Sequence, residues 1–187
     1  MKRNQILTGA AKVFSLKGYH STKIQEIANE AGVGKGTVYE YFDSKENLFI
    51  EMIRIGTKKY QKIINDSLSQ PLSIWEKLTL VLEREANFLW ENQEIARLIL
   101  NSESRIVIEN ELYDWLLEVR NSILEMYEAA FKEAIERGEI RPGNVKLYAR
   151  MLKGWEIEVI GALILLENKK PEQEEINCLI QTLRHGI

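Results

Sequence analysis

The stretch TKIQEIANEAGVGKGTVYEYF, residues 22–42, decides the fold. Ile24, Ile27, Ala28 and Ala31 recur at spacings of three and four, which puts them on one face of a helix. Gly32 ends that helix, and a second, short one is predicted from about Gly34 to Tyr41. Two helices joined by a tight glycine-containing turn and packed on a third make a helix-turn-helix. Such a unit needs small residues where its helices cross, and Ala28 and Ala31 supply them. Its second helix must start in the open. Gly34-Lys35-Gly36-Thr37 leaves backbone amides uncovered beside a lysine, at a helix end that attracts phosphate. Two glycines weaken a helix; close approach to another molecule is a reason to keep them.

Outward from this stretch the chain reads as helices. Ile6, Leu7, Ala10, Val13 and Phe14 share one face of a first helix over about Arg3–Leu16, and Gly18 supplies the stop. Thr22 with Gln25, and Asp43 with Glu46, have capping-box spacing. The helix after Asp43 is predicted to reach about Leu68. Pro71 interrupts, and Ser73 with Glu76 opens the next helix, which carries Leu78, Leu82, Phe88 and Leu89. A short segment covers about Glu94–Asn101, and the reading of Ser102–Asn110 stays open. The clearest periodicity runs from Glu111 to Arg137 and ends at Gly138. Val145 to about Glu167 forms the penultimate helix. Pro171 suits the first turn of the last one, with Glu172, Glu174 and Glu175 at its positive end. The expected fold is all-α, about nine helices: a three-helix helix-turn-helix domain over 1–46 and a larger helical domain over 47–187.

Charge is divided unevenly. Formal net charge is −3 over 187 residues. Met1 to Lys45 nevertheless carries seven Lys and Arg against four Asp and Glu, so a basic head sits on an acidic body. That arrangement suits one end meeting a polyanion. The N-terminus has no apolar signal core, and Val159–Leu166 is too short to span a bilayer, so a cytoplasmic protein without membrane contact is expected. Cys178 is the lone cysteine, among Ile176, Leu179 and Ile180; core or interface packing is expected, and a metal site is not. His20 and His185 stand at opposite ends, and no nucleophile elbow or phosphate loop is present. An enzyme is therefore not expected, and no cofactor.

At the quoted residues and their flanks the sequence resembles the TetR family of bacterial regulators. The match runs through Ile6, Ala10, Ala11, Phe14, Gly18-Tyr19 and Thr22, then Ile27-Ala28, Ala31-Gly32-Val33, Gly36-Thr37-Val38-Tyr39 and Tyr41-Phe42, ending at Lys45-Glu46 and Leu48. The resemblance implies a dimeric, ligand-responsive regulator, most simply a repressor on a pseudo-palindromic double-stranded DNA operator. An activator of the same fold and a helical protein-binding adaptor are the alternatives. It implies DNA contacts at Thr22, Lys35, Thr37, Tyr39, Tyr41 and Lys45, with Thr22 capping the second helix and Lys45 reaching a phosphate; Gly34 and Gly36 join this DNA-binding set through their open backbone, and Lys23 through general electrostatics. Two positions depart from the family pattern. Gly34 stands where a serine is frequent, and Glu40 is repelled by the DNA backbone unless it points away or reads a cytosine amine.

The larger domain shows no local motif. In the family it binds a small-molecule effector and dimerises. Trp75, Phe88, Trp90, Trp115, Tyr127, Phe131 and Trp155 are candidates to line a pocket for an apolar or aromatic ligand. Arg84, Glu85 and Arg97 are possible polar handles for such a ligand and otherwise ordinary surface charges. The stretch beyond Trp155 is apolar on nearly every side, more than one flank can cover. A homodimer interface is accordingly expected at Trp155, Val159, Ala162, Leu163, Leu166, Ile176, Leu179, Ile180 and Leu183.

Overall fold

A computed structural model of the chain describes residues 1–100 and 110–186. Among the described residues there are nine α-helices and no strand. They are α1 (Lys2–Ser21), α2 (Ile24–Glu30), α3 (Lys35–Tyr41), α4 (Lys45–Leu68), α5 (Ile74–Glu91), α6 (Gln93–Leu100), α7 (Asn110–Glu136), α8 (Val145–Gly161) and α9 (Gln173–Gly186). A π-helical turn, Ala162–Leu166, continues α8. The open stretch from Ser102 onward lies outside the described residues until α7 begins at Asn110. The chain divides into two compact units: Met1–Lys58 with Asn92–Ile95, and Lys59–Glu91 with Ala96–Ile187.

In the first unit α1 packs on α2 and α2 on α3. Ile6, Ala10, Phe14, Ile27, Ala28, Val38, Phe42 and Leu48 are buried there. The α2–α3 turn is a Schellman motif: the Val33 amide donates to the Ala28 carbonyl at 3.0 Å and the Gly32 amide to the Asn29 carbonyl at 3.1 Å, with Gly32 at φ 64°. Gly18 lies at φ 74°, ψ 166°, a region only glycine enters freely, and breaks α1 before its last turn.

The second unit packs α5 against α9 and α7, and α7 against α8. Leu78, Val81, Leu82, Leu89, Ile123, Tyr127, Phe131, Leu152, Ile160 and Ile164 are among its core residues. The periodicity of Glu111–Arg137 appears as α7, closed by a second Schellman turn at Gly138.

Several caps sit one residue from where the spacing put them. The cap of α2 is Lys23, whose amide donates to Glu26 Oε2 at 2.9 Å, and not Thr22 with Gln25. Gln25 pairs with Asn29 instead. Ser44, not Asp43, caps α4 by accepting from the Asn47 amide at 3.0 Å. Ser73 and Glu76 form the expected box. Pro171 lies ahead of α9, whose start is marked by the Glu172 amide donating to Glu175 Oε2 at 2.9 Å. Serine and threonine hydroxyls compete with neighbouring carboxylates for the same amides, so spacing alone leaves the cap uncertain by one residue.

Candidate nucleic-acid interface and the polar centre of the second unit

On α3, Val38 turns inward and is wholly buried. Lys35, Gly36, Tyr39, Glu40 and Tyr41 are exposed, and Thr37 is half-buried. Lys35 and Tyr39 are one helical turn apart, with the ammonium 5.9 Å from the ring centroid. Tyr39 and Tyr41 each keep nearly half of their surface in solvent, 46% and 44%. Neither is therefore core. Gly34 precedes the helix in an extended conformation. A Cβ at Gly36 would meet nothing within 4 Å, so packing does not require glycine there. Glu40 shares the exposed side of Gly36, one turn away.

The basic residues of this unit serve different ends. Lys12 pairs with Glu30 and Lys17 with Glu26, each at 2.6 Å, and Arg3 pairs with Glu51 at 2.6 Å. The Lys17 hydrogen bond, with the Lys23 amide, holds the Glu26 carboxyl below its usual range. Lys45 donates to the carbonyls of Tyr19 at 2.9 Å and Thr22 at 3.2 Å, with His20 at 3.5 Å. Its ammonium thus closes the end of α1. Thr22 is 2% exposed and its hydroxyl donates to the Gly18 carbonyl at 2.8 Å. Both bind the α1–α2 connection together. Lys2, Lys23 and Lys35 are exposed, so their charge can face a polyanion.

In the second unit, Tyr127 and Phe131 are wholly buried, while Trp75, Phe88, Trp90, Trp115 and Trp155 pack half-buried against the core. Phe131 meets Tyr148 edge-on at 5.8 Å, and Phe88 lies 6.0 Å from Tyr60. Trp75 faces a surface cleft of about 540 Å³ shared with Gly138, Glu139, Ile140, Arg141, Arg184 and His185. Of the residues expected at a dimer interface, Leu163, Ile176, Leu179, Ile180 and Leu183 are buried within the chain itself. Trp155 and Ala162 are half-buried, and Val159 and Leu166 are exposed. Cys178 is exposed, so it is not a core residue.

One cluster escaped the sequence reading. Glu85, a possible pocket handle or surface charge by sequence, is 1% exposed. Lys153 donates to Glu156 Oε2 at 2.7 Å, to Tyr60 Oη at 2.9 Å and to Glu85 Oε1 at 3.4 Å. Tyr60 donates to Glu156 Oε1 at 3.2 Å, and Tyr127 to Glu85 Oε2 at 3.4 Å. Burial, and then the Glu156 carboxylate, push the Glu85 carboxyl up to about 8. Burial also pushes both phenols well up. Burial works against the Lys153 ammonium, but the two carboxylates outweigh it and its pKa rises. Glu85 and Lys153 fall on helices whose polar residues alternate with apolar ones, so sequence gave no sign that these particular charges point inward.

Residues 6–52 match the family described as "Bacterial regulatory proteins, tetR family". The fatty acid metabolism regulator protein of Bacillus subtilis is 28% identical to this chain, over all of it and 95% of the relative. The crystal structure of the transcriptional regulator FadR from Bacillus subtilis in complex with stearoyl-CoA superposes with a TM-score of 0.80 at 26% identity, covering 98% of both chains. The transcriptional repressor KstR2 of Rhodococcus jostii is 26% identical over 81% of this chain and 74% of its own. The helix-turn-helix and the helical domain behind it define a DNA-binding transcriptional regulator. Residues 6–52 carry the TetR-family helix-turn-helix, and the comparisons support a transcriptional regulator rather than an enzyme. Among the described residues, no helix is long and apolar enough to cross a membrane.

Proposed function

We propose that this chain is a cytoplasmic, homodimeric repressor, released from a pseudo-palindromic operator by a long-chain acyl thioester. The observation that carries this reading is the end-to-end likeness to a regulator solved with stearoyl-CoA. An acyl chain is also the kind of apolar ligand that an aromatic-rich helical domain suits. Trp75, Phe88, Trp90, Trp115, Tyr127, Phe131 and Trp155 remain the candidate lining, with Tyr127 and Phe131 able to contribute only if the core opens around them.

On DNA, Lys23, Gly34, Lys35, Gly36, Thr37, Tyr39 and Tyr41 make the contacts in this reading. Thr22 and Lys45 act by holding the α1–α2 connection. The two copies pair along α8 and the π turn. Leu147, Met151, Val159 and Leu166 leave an apolar stripe exposed there, and Gly154 is open around its missing Cβ. The two recognition helices of the dimer then face successive major grooves. Acyl ligand releases DNA by favouring a conformation in which that spacing is lost, which requires tighter binding to that conformation.

A mobility shift on DNA from beside the protein's own gene tests this. Stearoyl-CoA is expected to dissociate the complex at concentrations where free coenzyme A leaves it intact. Insensitivity to every acyl chain length would overturn the effector assignment and leave DNA binding standing.

A further inference from the structure

The cluster around Lys153 has more acid than base. Two carboxylates, Glu85 and Glu156, share one ammonium, and all three side chains lie within the second unit, 1%, 1% and 12% exposed. Tyr60 of α4, Glu85 of α5, Tyr127 of α7, and Lys153 and Glu156 of α8 are the titratable groups that face one another there. With both carboxylates ionised, a full negative charge would be left in the core. A buried pair of carboxyls sharing a site relieves this by keeping a proton. Packing alone does not call for such a cluster, because apolar side chains of similar volume would hold four helices together at least as well.

We propose that Glu85 keeps its proton at neutral pH, buried beside the Lys153 ammonium and the Glu156 carboxylate, and that its loss loosens the four helices this cluster joins, making the regulator sensitive to alkaline conditions. The proton leaves the Glu85 carboxyl for solvent hydroxide, and the two carboxylates then repel across the lysine. Tyr60 is drawn into this change through its bond to Glu156. Tyr60 stands on α4, the helix that begins at Lys45 directly after the helix-turn-helix. The raised Glu85 carboxyl, at about 8, agrees with the charge count.

Sign follows from linkage. A folded chain that keeps a proton the unfolded chain has lost becomes less stable as pH rises. The folding equilibrium constant should fall about tenfold per pH unit up to about pH 8 and then level off. The lowered carboxyls of Glu26, Glu76, Glu133 and Glu175 act only on the acid side and leave this range alone.

The test uses the full-length protein. Infrared difference spectra between about pH 6.5 and about pH 9.5 should show a protonated-carboxyl C=O band that disappears on the alkaline side. Chemical unfolding over the same range should show the falling stability, and Glu85→Gln should abolish both. Operator affinity, which rests on the proposed DNA-binding role, should weaken about tenfold from pH 7 to pH 9 in the wild type and stay level in Glu85→Gln. The band and the unfolding curve require no DNA, so a failure of the operator reading is told apart from a failure of the latch. If Glu85→Gln does not fold, the wild-type band decides the matter. Absence of that band at the lower pH, or the same pH dependence in wild type and Glu85→Gln, overturns the proposal.

Discussion

The ammonium of Lys45 lies 4.4 Å from the centroid of the Tyr19 ring and donates to the Tyr19 carbonyl at 2.9 Å. One side chain from the start of α4 thereby satisfies the end of α1 and covers an aromatic face. Lys45→Met should leave those carbonyls without this donor and cost about 1–3 kcal/mol of stability. Urea unfolding measures it. A cost below about 0.5 kcal/mol would show the contact to be idle surface charge.

Gly9 and Gly36 should respond to alanine in opposite directions. A Cβ at Gly9 would lie 3.0 Å from the Ala31 backbone nitrogen, so α1 cannot approach the α2–α3 turn without a shift. Gly9→Ala should destabilise the first unit by about 1 kcal/mol or more, despite alanine's better helix propensity.

Gly36→Ala meets open space and should stabilise the fold by up to about 1 kcal/mol while weakening operator binding. Thermal unfolding and DNA titration on the same variant separate the two effects. Unimpaired DNA binding would show that close backbone approach is not why glycine stands there.

The helix-turn-helix was legible because its determinants are local. A helical face, a turn glycine and a Schellman stop all lie within twenty-one residues of chain. The second unit was legible as helices, but not as a site. The inward turn of Glu85 depends on Lys153 and Glu156, sixty-eight and seventy-one positions away, and no periodicity connects them. The same limit applies to α9. Its apolar stripe was visible, but sequence could not say whether Ile176, Leu179, Ile180 and Leu183 turn toward a partner or toward α5, against which α9 packs.

The exposed stripe of α8 should set the oligomeric state. Leu166 keeps 83% of its surface in solvent in the single chain, and Val159 keeps 37%. Replacing both by glutamate puts two charges into the proposed interface and should shift the protein to a monomer by analytical ultracentrifugation. Operator affinity should fall with it, because one recognition helix then reads one half-site. A dimer that survives this change would place the interface elsewhere.

Salt dependence of specific DNA binding tests the central claim most directly. With DNA from beside its own gene, the wild type should form a sequence-specific complex whose affinity falls steeply as salt rises. Lys35→Ala should lower the slope of log affinity against log salt by about 1, and adding Tyr39→Ala should abolish preference for that sequence while helical content stays unchanged. A double variant that binds as tightly, as specifically and with the same salt slope as the wild type would contradict the assignment of α3 as the recognition helix.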